Sequence, residues 1–282
     1  MTVHYQQTLR DPISFEGVGI HTGVPSRAEV APAPPGTGLV FVLEGGIRVA
    51  AVAENVVETA RATVLGKDGV TVSTVEHLLA ALFGMGIDNA TIAVTGPEVP
   101  VVDGSAKAFA DRIAVAGYVA QKEVRARFIP ATAQFFRDGD RTVIILPAAK
   151  FRVRFLADFA APIGTQFFDG EIAPEFFHQE IAGARTFGYL HEVEALLKRG
   201  LAQGGTLENA VVFAPDGPMQ PLRWPDEVVR HKVLDLIGDF CLLGAYPQCE
   251  IVAIKSGHRL HCLATSELRK QLLGCLPSAK VQ

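Results

Sequence analysis

The chain has 282 residues, of which 49% are hydrophobic and 20% are charged, so it is long enough to build two domains with sizeable cores. Its net charge of −4, and the absence of basic runs interleaved with aromatic residues, argue against a nucleic-acid-binding protein. The N-terminal segment lacks the apolar region of a signal peptide, and the apolar runs are far shorter than a membrane span. We therefore expect a cytoplasmic protein whose four cysteines are reduced thiols.

The first part of the chain predicts strands separated by turns, together with two amphipathic helices. The segment 39–57 is rich in β-forming residues and is interrupted by a pair of glycines. Ser73 and Glu76 form an S-x-x-E pattern, which predicts a capping box before an apolar helix that ends near Gly84. The alternating segment 89–96 predicts a strand, and the second helix follows it.

A polar stretch over residues 119–127 predicts the boundary between two domains, 1–122 and 123–282. Each half contains several strands followed by helical segments, an order that favours an α+β fold over a doubly wound parallel sheet. Beyond the boundary, the sequence predicts strands over 141–148, 151–159, 208–217 and 250–258, and helices over 192–200, 226–244 and 264–275.

The predicted helix near residue 235 carries three polar residues on one stripe. His231, Asp235 and Asp239 are spaced at i, i+4 and i+8, and the residues between them are largely apolar. A helix that is apolar nearly all round is buried, and buried carboxylates need a partner, for which a metal ion is a good choice. His and Asp one turn apart can bind the same ion. The alternative is a solvated pair of aspartates beside a hydrogen-bonded histidine.

A zinc catalyst has three protein ligands and one open position, so a third ligand must lie elsewhere. His77 is the candidate, because Glu76 beside it would be placed to act as a general base. The alternative makes Glu76 only a capping residue and His77 only a polar residue of the first turn. His258 ends the strand predicted over 250–258, at a loop edge of the kind that presents catalytic side chains, although a lone histidine there is often simply exposed.

Six longer motifs follow one another along the chain: GVGIHTG, TVEHLLAALFGMGIDNA, VPVVDGSA, ARTFGYLHEVEALLKRGLAQGG, DEVVRHKVLDLIGDF and KSGH. Together they resemble the UDP-3-O-acyl-N-acetylglucosamine deacetylases, the zinc amidases of bacterial lipid A biosynthesis. The resemblance runs from about Gln7 to about Leu273. It implies two similar domains, each a β-sheet with packed helices, that form a β-α-α-β sandwich. It also implies a β-α-β insert near 188–214 that forms a passage for the acyl chain.

The resemblance implies a role for each residue of the predicted site. It places zinc on His77, His231 and Asp235, a set that also suits Fe²⁺. It makes Glu76 the general base and His258 the group that stabilises developing charge and protonates the leaving amine. The remaining implied roles are orientation of that histidine by Asp239, an oxyanion hydrogen bond from Thr186, a wall near the sugar at Phe187, and diphosphate contacts from Lys232 and Arg152.

The sequence departs from the family pattern at a few positions. Arg152 stands where a lysine is common, and His261 stands where an asparagine is common. The segment 244–251, GAYPQCEI, is also unusual at its end. These departures affect the expected substrate contacts more than the expected chemistry.

The implied activity is hydrolysis of the N-acetyl group of UDP-3-O-acyl-N-acetylglucosamine, the committed step of lipid A biosynthesis, with no organic cofactor. We expect a monomer with this small-molecule substrate and no nucleic-acid partner. One alternative is a deacetylase of the same fold that acts on another acylated sugar nucleotide. A more remote alternative is a non-enzymatic lipid- or sugar-nucleotide-binding protein with a structural metal. A structural metal site normally has four protein ligands, whereas the sequence offers only three, so this alternative is disfavoured.

Overall fold

The computed structural model describes residues 4–274, and its first half is mainly β-structure with two helices. The elements of this half are β1 (Tyr5–Leu9), β2 (Ile13–Val18), β3 (Pro25–Pro32), β4 (Leu39–Val42), β5 (Arg48–Ala50), β6 (Val56–Glu58), β7 (Val64–Lys67), β8 (Val70–Val72), α1 (Glu76–Gly84), β9 (Ala90–Thr95), α2 (Lys107–Ala116) and β10 (Tyr118–Val124). Short 3₁₀ turns cover Glu44–Gly46 and Ala53–Asn55.

The second half repeats the mixture of strands and helices, and two of its helices, α5 and α6, are longer than those of the first half. Its elements are β11 (Arg127–Phe128), β12 (Gln134–Asp138), β13 (Arg141–Pro147), β14 (Arg152–Asp158), β15 (Thr165–Glu171), α3 (Pro174–Phe176), β16 (Phe187–Tyr189), α4 (Leu190–Lys198), β17 (Val211–Ala214), β18 (Gly217–Pro218), α5 (Glu227–Cys241), β19 (Tyr246–Pro247), β20 (Cys249–Ile254) and α6 (His258–Gly274). A π-helical turn over Phe177–Ile181 continues α3.

Two five-stranded sheets share one topology. The strand order is β2-β3-β9-β4-β5 in the first and β12-β13-β20-β14-β15 in the second. In each sheet the fifth strand along the chain lies in the middle, antiparallel to the second strand and parallel to the third. The α+β fold with two similar sheets is therefore confirmed, although the two halves show no evident sequence similarity.

The helices lie between the sheets. Within each half, a helix precedes the central strand and another follows it: α1 and α2 flank β9, and α5 and α6 flank β20. In the centre α1 packs against α5, while α2 contacts the first sheet and α5 and α6 contact the second. Gly238 permits this approach, because a Cβ atom there would overlap the Glu76 carbonyl. The layer order is sheet, helices, helices, sheet.

The predicted capping box at the start of α1 is wrong. The helix begins at Glu76 itself, with Val75 as its N-cap and without a side-chain cap. Ser73 is instead bound through its backbone, donating to the Pro97 carbonyl and accepting from Val99. Because Thr74 has a φ of 56°, the chain turns sharply before the helix, so the glutamate stands at its first residue rather than its third.

The last helix begins earlier than predicted. The sequence favours a helix over 264–275 and places His258 at a strand end, whereas α6 starts at His258. The apolar and small residues of its first two turns, such as Leu260 and Ala264, are buried against the core, so packing extends the helix towards the strand. Residue 275, at the end of the predicted range, lies outside the described residues.

Two further predictions concern the β-α-β insert near 188–214 and the boundary between the domains. Over the range predicted for the insert the chain forms β16, α4 and β17, and the two strands are parallel. The predicted boundary falls inside β10, which pairs with β1, and the domain limits stay a prediction.

Within residues 4–274, no helix has the length and apolarity needed to cross a membrane. The described cysteines are buried free thiols, and Cys275 is outside the described range.

Candidate metal centre and active-site cavity

The contact between α1 and α5 brings together three side chains that can ligate a metal. His231 and Asp235 lie one turn apart on α5, and His77 faces them from α1. The distance to Asp235 Oδ1 is 3.4 Å from His231 Nε2 and 3.6 Å from His77 Nε2. One ligand atom of each residue lies within 4.8 Å of the others, and all three residues are buried. This geometry suits a single ion held between two imidazoles and a carboxylate.

The state of Asp235 fits a bound cation. Its Oδ2 accepts a hydrogen bond from Lys232 Nζ at 2.6 Å, but its buried Oδ1 has no hydrogen-bond partner in the described part of the chain. Burial alone would raise the pKa of Asp235, but the neighbouring His231 and Lys232 hold it well below its usual value. A buried, ionised oxygen without a donor is costly, and a metal ion would remove that cost.

His231 is prepared as a ligand by its own hydrogen bond. Its Nδ1 lies 3.0 Å from the Ala184 carbonyl, to which only a protonated nitrogen can donate. Burial lowers the pKa of His231 to about 4, so the ring is neutral and Nε2 keeps a lone pair directed at Asp235. A donor set of two imidazoles and one carboxylate is one that zinc and iron(II) both accept.

The three residues line a cavity of about 620 Å³ that leaves one side of the group open. Three protein ligands with an open fourth position are typical of catalytic rather than structural metal sites. The remaining lining includes apolar side chains, basic side chains and five of the other predicted site residues: Ile20, His21, Arg61, Glu76, Arg141, Phe159, Thr186, Phe187, Val193, Leu196, Lys232, Lys255 and His258.

Glu76 lies at this cavity with an environment that favours its protonated form. Its Oε2 accepts a hydrogen bond from the backbone N–H of Thr63 at 3.0 Å, and its Oε1 is 3.9 Å from His258 Nε2. The residue is 3% exposed, and burial raises its pKa. A carboxylate with a raised pKa is a stronger base than an ordinary one and holds the proton it takes more firmly.

His258 is paired with the last carboxylate of the α5 stripe. Its Nδ1 lies 2.9 Å from Asp239 Oδ2, and its Nε2 is 3.9 Å from Asp235 Oδ2. Burial alone would lower the pKa of His258, but the charges of Asp239 and Asp235 overcome that effect and raise it to about 9. Burial would raise the pKa of Asp239, but His258 lowers it to about 2, so that carboxylate is ionised.

Three of the four residues predicted to contact substrate lie at the cavity, and one does not. Thr186, Phe187 and Lys232 line it, and the Phe187 ring meets His231 edge to face at 6.0 Å. Arg152 is absent from the lining and pairs with Asp169 at 2.7 Å on the outer part of the second sheet.

The structure therefore does not bring Arg152 to the other predicted residues, and its contact with substrate stays a prediction. Sequence reasoning missed Arg141 and Lys255, which do line the cavity. Arg141 directly follows an Asp-Gly-Asp turn, and Lys255 stands three residues before His258. Catalytic loops are often found at such turns and strand ends, but no spacing pattern selects these two residues from the other basic residues of the chain.

A buried ion pair fixes the segment that carries Thr186 and Phe187. The Glu227 carboxylate accepts hydrogen bonds from the Arg185 backbone and guanidinium and from the backbone N–H of Arg223. Burial would raise the pKa of Glu227, but Arg185 holds it below its ordinary value. The first residue of α5 thus ties this segment to the helix that carries the possible ligands.

Two further residues at the site give no signal of function in the sequence. Thr63 is fully buried and donates its backbone N–H to Glu76 and its hydroxyl to Asp239. His261, noted only as a departure from the family pattern, is fully buried beside Asp239. The place of each residue at the site is set by contacts with residues that are distant in sequence. The only local signal is that His258 and His261 lie one helical turn apart.

Comparison with known proteins agrees with this geometry. A family model described as UDP-3-O-acyl N-acetylglycosamine deacetylase matches residues 6–270. A protein of Myxococcus xanthus named UDP-3-O-acyl-N-acetylglucosamine deacetylase is 46% identical over 262 residues, covering 91% of this chain and 83% of its own. Proteins of the same name from Phenylobacterium zucineum and Nostoc are 46% and 43% identical, over 90% and 95% of their lengths. The chain belongs to the UDP-3-O-acyl-N-acetylglucosamine deacetylase family.

Proposed function

We propose that this chain hydrolyses the N-acetyl group of UDP-3-O-acyl-N-acetylglucosamine, with water, to acetate and the free 2-amine, in the pathway to lipid A. The family supports the substrate and the reaction. The observation that carries the chemistry concerns Oδ1 of Asp235, which lies between His77 and His231 at an open cavity and has no hydrogen-bond partner among the described residues.

His77, His231 and Asp235 would hold the metal, which we propose to be zinc, with Fe²⁺ as the alternative. Such an ion supplies Lewis acidity, which polarises the amide carbonyl and makes water a stronger acid. The three side chains would hold the ion at the cavity. The hydrogen bond from His231 Nδ1 to the Ala184 carbonyl keeps the proton on that nitrogen and leaves Nε2 free to bind the ion. Elemental analysis of protein purified without added metal would identify it.

We propose that Glu76 removes a proton from the attacking water. It is adjacent in sequence to His77, and its carboxyl faces the cavity close to His258. Burial raises the pKa of Glu76, which supports this role because it makes the carboxylate a stronger base towards water. The backbone N–H of Thr63 donates a hydrogen bond to Oε2 of Glu76, so Oε1 is the atom that would accept the proton.

His258 and Thr186 would act on the other side of the reacting amide. A protonated His258 carries the positive charge that a developing oxyanion needs, and it can then give a proton to the leaving amine. Asp239 supports the protonated form through its short contact to Nδ1. We propose that the Thr186 hydroxyl donates to the same oxyanion.

The remaining parts of the cavity suit the two ends of the substrate. Lys232, Arg141 and Lys255 are cations suited to the nucleotide diphosphate. The apolar residues Ile20, Val193 and Leu196 lie elsewhere on the lining, where an acyl chain could pass beside α4. All groups needed for the reaction come from one chain, and we propose that the protein is a cytoplasmic monomer.

The experiment is acetate release from a panel of UDP-linked acyl sugars, with each product identified by mass spectrometry. We expect deacetylation of UDP-3-O-acyl-N-acetylglucosamine that is lost on chelation and restored by metal. A clear preference for another acylated sugar nucleotide would favour the alternative deacetylase. Binding without turnover by the metal-loaded protein would contradict the proposal.

A further inference from the structure

Asp239 accepts more hydrogen bonds than the proposed mechanism uses. Its Oδ2 lies 2.9 Å from His258 Nδ1 and also 2.9 Å from His261 Nδ1. Its Oδ1 accepts the hydroxyl of Thr63 at 2.5 Å. Since the carboxylate is fully buried, these three donors satisfy it in place of water.

The second imidazole is held at both of its ring nitrogens. His261 is fully buried, and its Nε2 lies 2.8 Å from Ser256 Oγ. Burial lowers the pKa of His261, so the ring is neutral and carries a single N–H. An ionised carboxylate only accepts hydrogen bonds, so this N–H is on Nδ1 and donates to Asp239. Nε2 therefore accepts a hydrogen bond from the Ser256 hydroxyl.

We propose that His261 is a positioning residue, whose Nδ1–H fixes the Asp239 carboxylate and through it the orientation of the His258 ring. His258 and His261 lie one turn apart on α6, so this turn holds the carboxylate of α5 at two points. Hydrogen bonds to an ionised group in a buried site are strong and directional, so this contact restrains rotation of Asp239. The inference rests on the proposed function, in which His258 must face the reacting amide.

Two amide substitutions separate the two ends of the imidazole. Asparagine at position 261 places its amide near the site of Nδ1, where it can still donate to Asp239. Glutamine places its amide near the site of Nε2, where it can reach Ser256 but not Asp239. We expect His261→Gln to lower kcat about tenfold or more, and His261→Asn to keep kcat within about threefold of wild type. KM and metal content should stay within about twofold in both variants, because the substrate and metal contacts are unchanged.

A spectroscopic readout tests the hydrogen bond without turnover. In metal-free protein with ¹⁵N-labelled histidine, the Nδ1–H proton of His258 should resonate at the same downfield position in wild type and His261→Asn. It should shift in His261→Gln, because the hydrogen bond from His261 to Asp239 Oδ2, the same oxygen that accepts from His258, is lost. Thermal melting checks that both variants fold. If His261→Gln does not fold, Ser256→Ala replaces it, because it removes the hydrogen bond that holds the His261 ring at Nε2. A less firmly held ring should lower kcat about twofold or more at constant KM.

Equal losses of kcat in the two amide variants would mean that His261 only fills space and would overturn the proposal. The proposal would also be overturned by a change confined to KM or by an unaltered proton signal in His261→Gln. Where Ser256→Ala is used instead, a normal kcat in that variant would overturn it. If wild type shows no deacetylation while the contrast in the proton signal persists, the proposed function fails and the hydrogen-bond assignment stands.

Discussion

Glu76 had two candidate roles in the sequence, helix capping and general base, and the structure argues against the first. Its side chain caps no helix, since its carboxyl is directed to Thr63 and to the cavity. Glu76→Gln can keep the hydrogen bond from Thr63 but cannot accept a proton from water. We expect acetate release to fall about 100-fold or more, with fold and metal content retained. Near-normal turnover in fully metal-loaded variant protein would refute the role of general base.

Asp239 is expected to act on His258 rather than on the metal. Asp239→Asn removes a negative charge that raises the His258 pKa, so that pKa should fall from about 9 towards its ordinary value. If catalysis needs protonated His258, the alkaline limb of the pH–rate profile moves to lower pH and kcat at neutrality decreases. Metal content should not change. Loss of metal with an unchanged profile would make Asp239 a ligand or a scaffold residue.

The sequence predicted part of the site at this scale for a clear physical reason. His231 and Asp235 could be recognised because helical periodicity places them side by side, and His77 because it stands beside a carboxylate. Arg141 and Lys255 reach the cavity only through the arrangement of strands in the second sheet, which no local pattern encodes. The same arrangement leaves Arg152, a predicted substrate contact, paired with Asp169 outside the lining.

At the scale of elements, the approach of α1 to α5 is the contact on which the proposed ligand set depends. Gly238→Ala would place a Cβ atom against the Glu76 carbonyl, so the helices must separate. We expect a loss of about 2 kcal/mol in stability and weaker metal binding, measured by urea unfolding and by titration with zinc. Gly274→Ala on α6 is the control, since no atom of residues 4–274 lies within 4 Å of a Cβ atom placed there. Equal behaviour of the two variants would show that the helices tolerate the wider spacing.

The ion pair between α5 and the Thr186 segment should make stability depend on pH. The pKa of Glu227 in the folded protein lies below its ordinary value of 4.5, so its contribution is complete above that pH and is lost as pH falls through the folded value. Glu227→Gln leaves buried Arg185 without its charged partner, and we expect a loss of about 3 kcal/mol at pH 7. The difference in urea-unfolding free energy between wild type and variant should shrink below pH 4.5. A difference that is independent of pH would contradict this.

Element boundaries were less predictable than the elements themselves. The apolar periodicity of α5 predicts a helix that the structure contains, because a long buried face determines its type. The start of α6 and the cap of α1 depended on tertiary contacts: burial of the first turns of α6, and the turn at Thr74. Propensity alone cannot register either effect.

For the whole molecule, the strand order and the sheet–helix–helix–sheet layers could not be derived from periodicity. The residues predict strands followed by helices in each half, which limits the fold to the α+β class. The pairing of β9 with β3 and β4, and of β20 with β13 and β14, joins segments that are far apart in the chain. Only the resemblance to a family indicated how the two halves meet.

The repeated sheet topology also divides the chain into two nearly equal pieces, neither of which contains the whole proposed ligand set. A cut in the exposed loop between β11 and β12, after Ala131, would leave His77 on one piece and His231 and Asp235 on the other. We expect each piece alone to release no acetate and the co-expressed pieces to regain activity that is lost on dilution. Activity in one isolated piece would contradict this. Acetate release would then report on association between two polypeptides, as in a split-enzyme sensor.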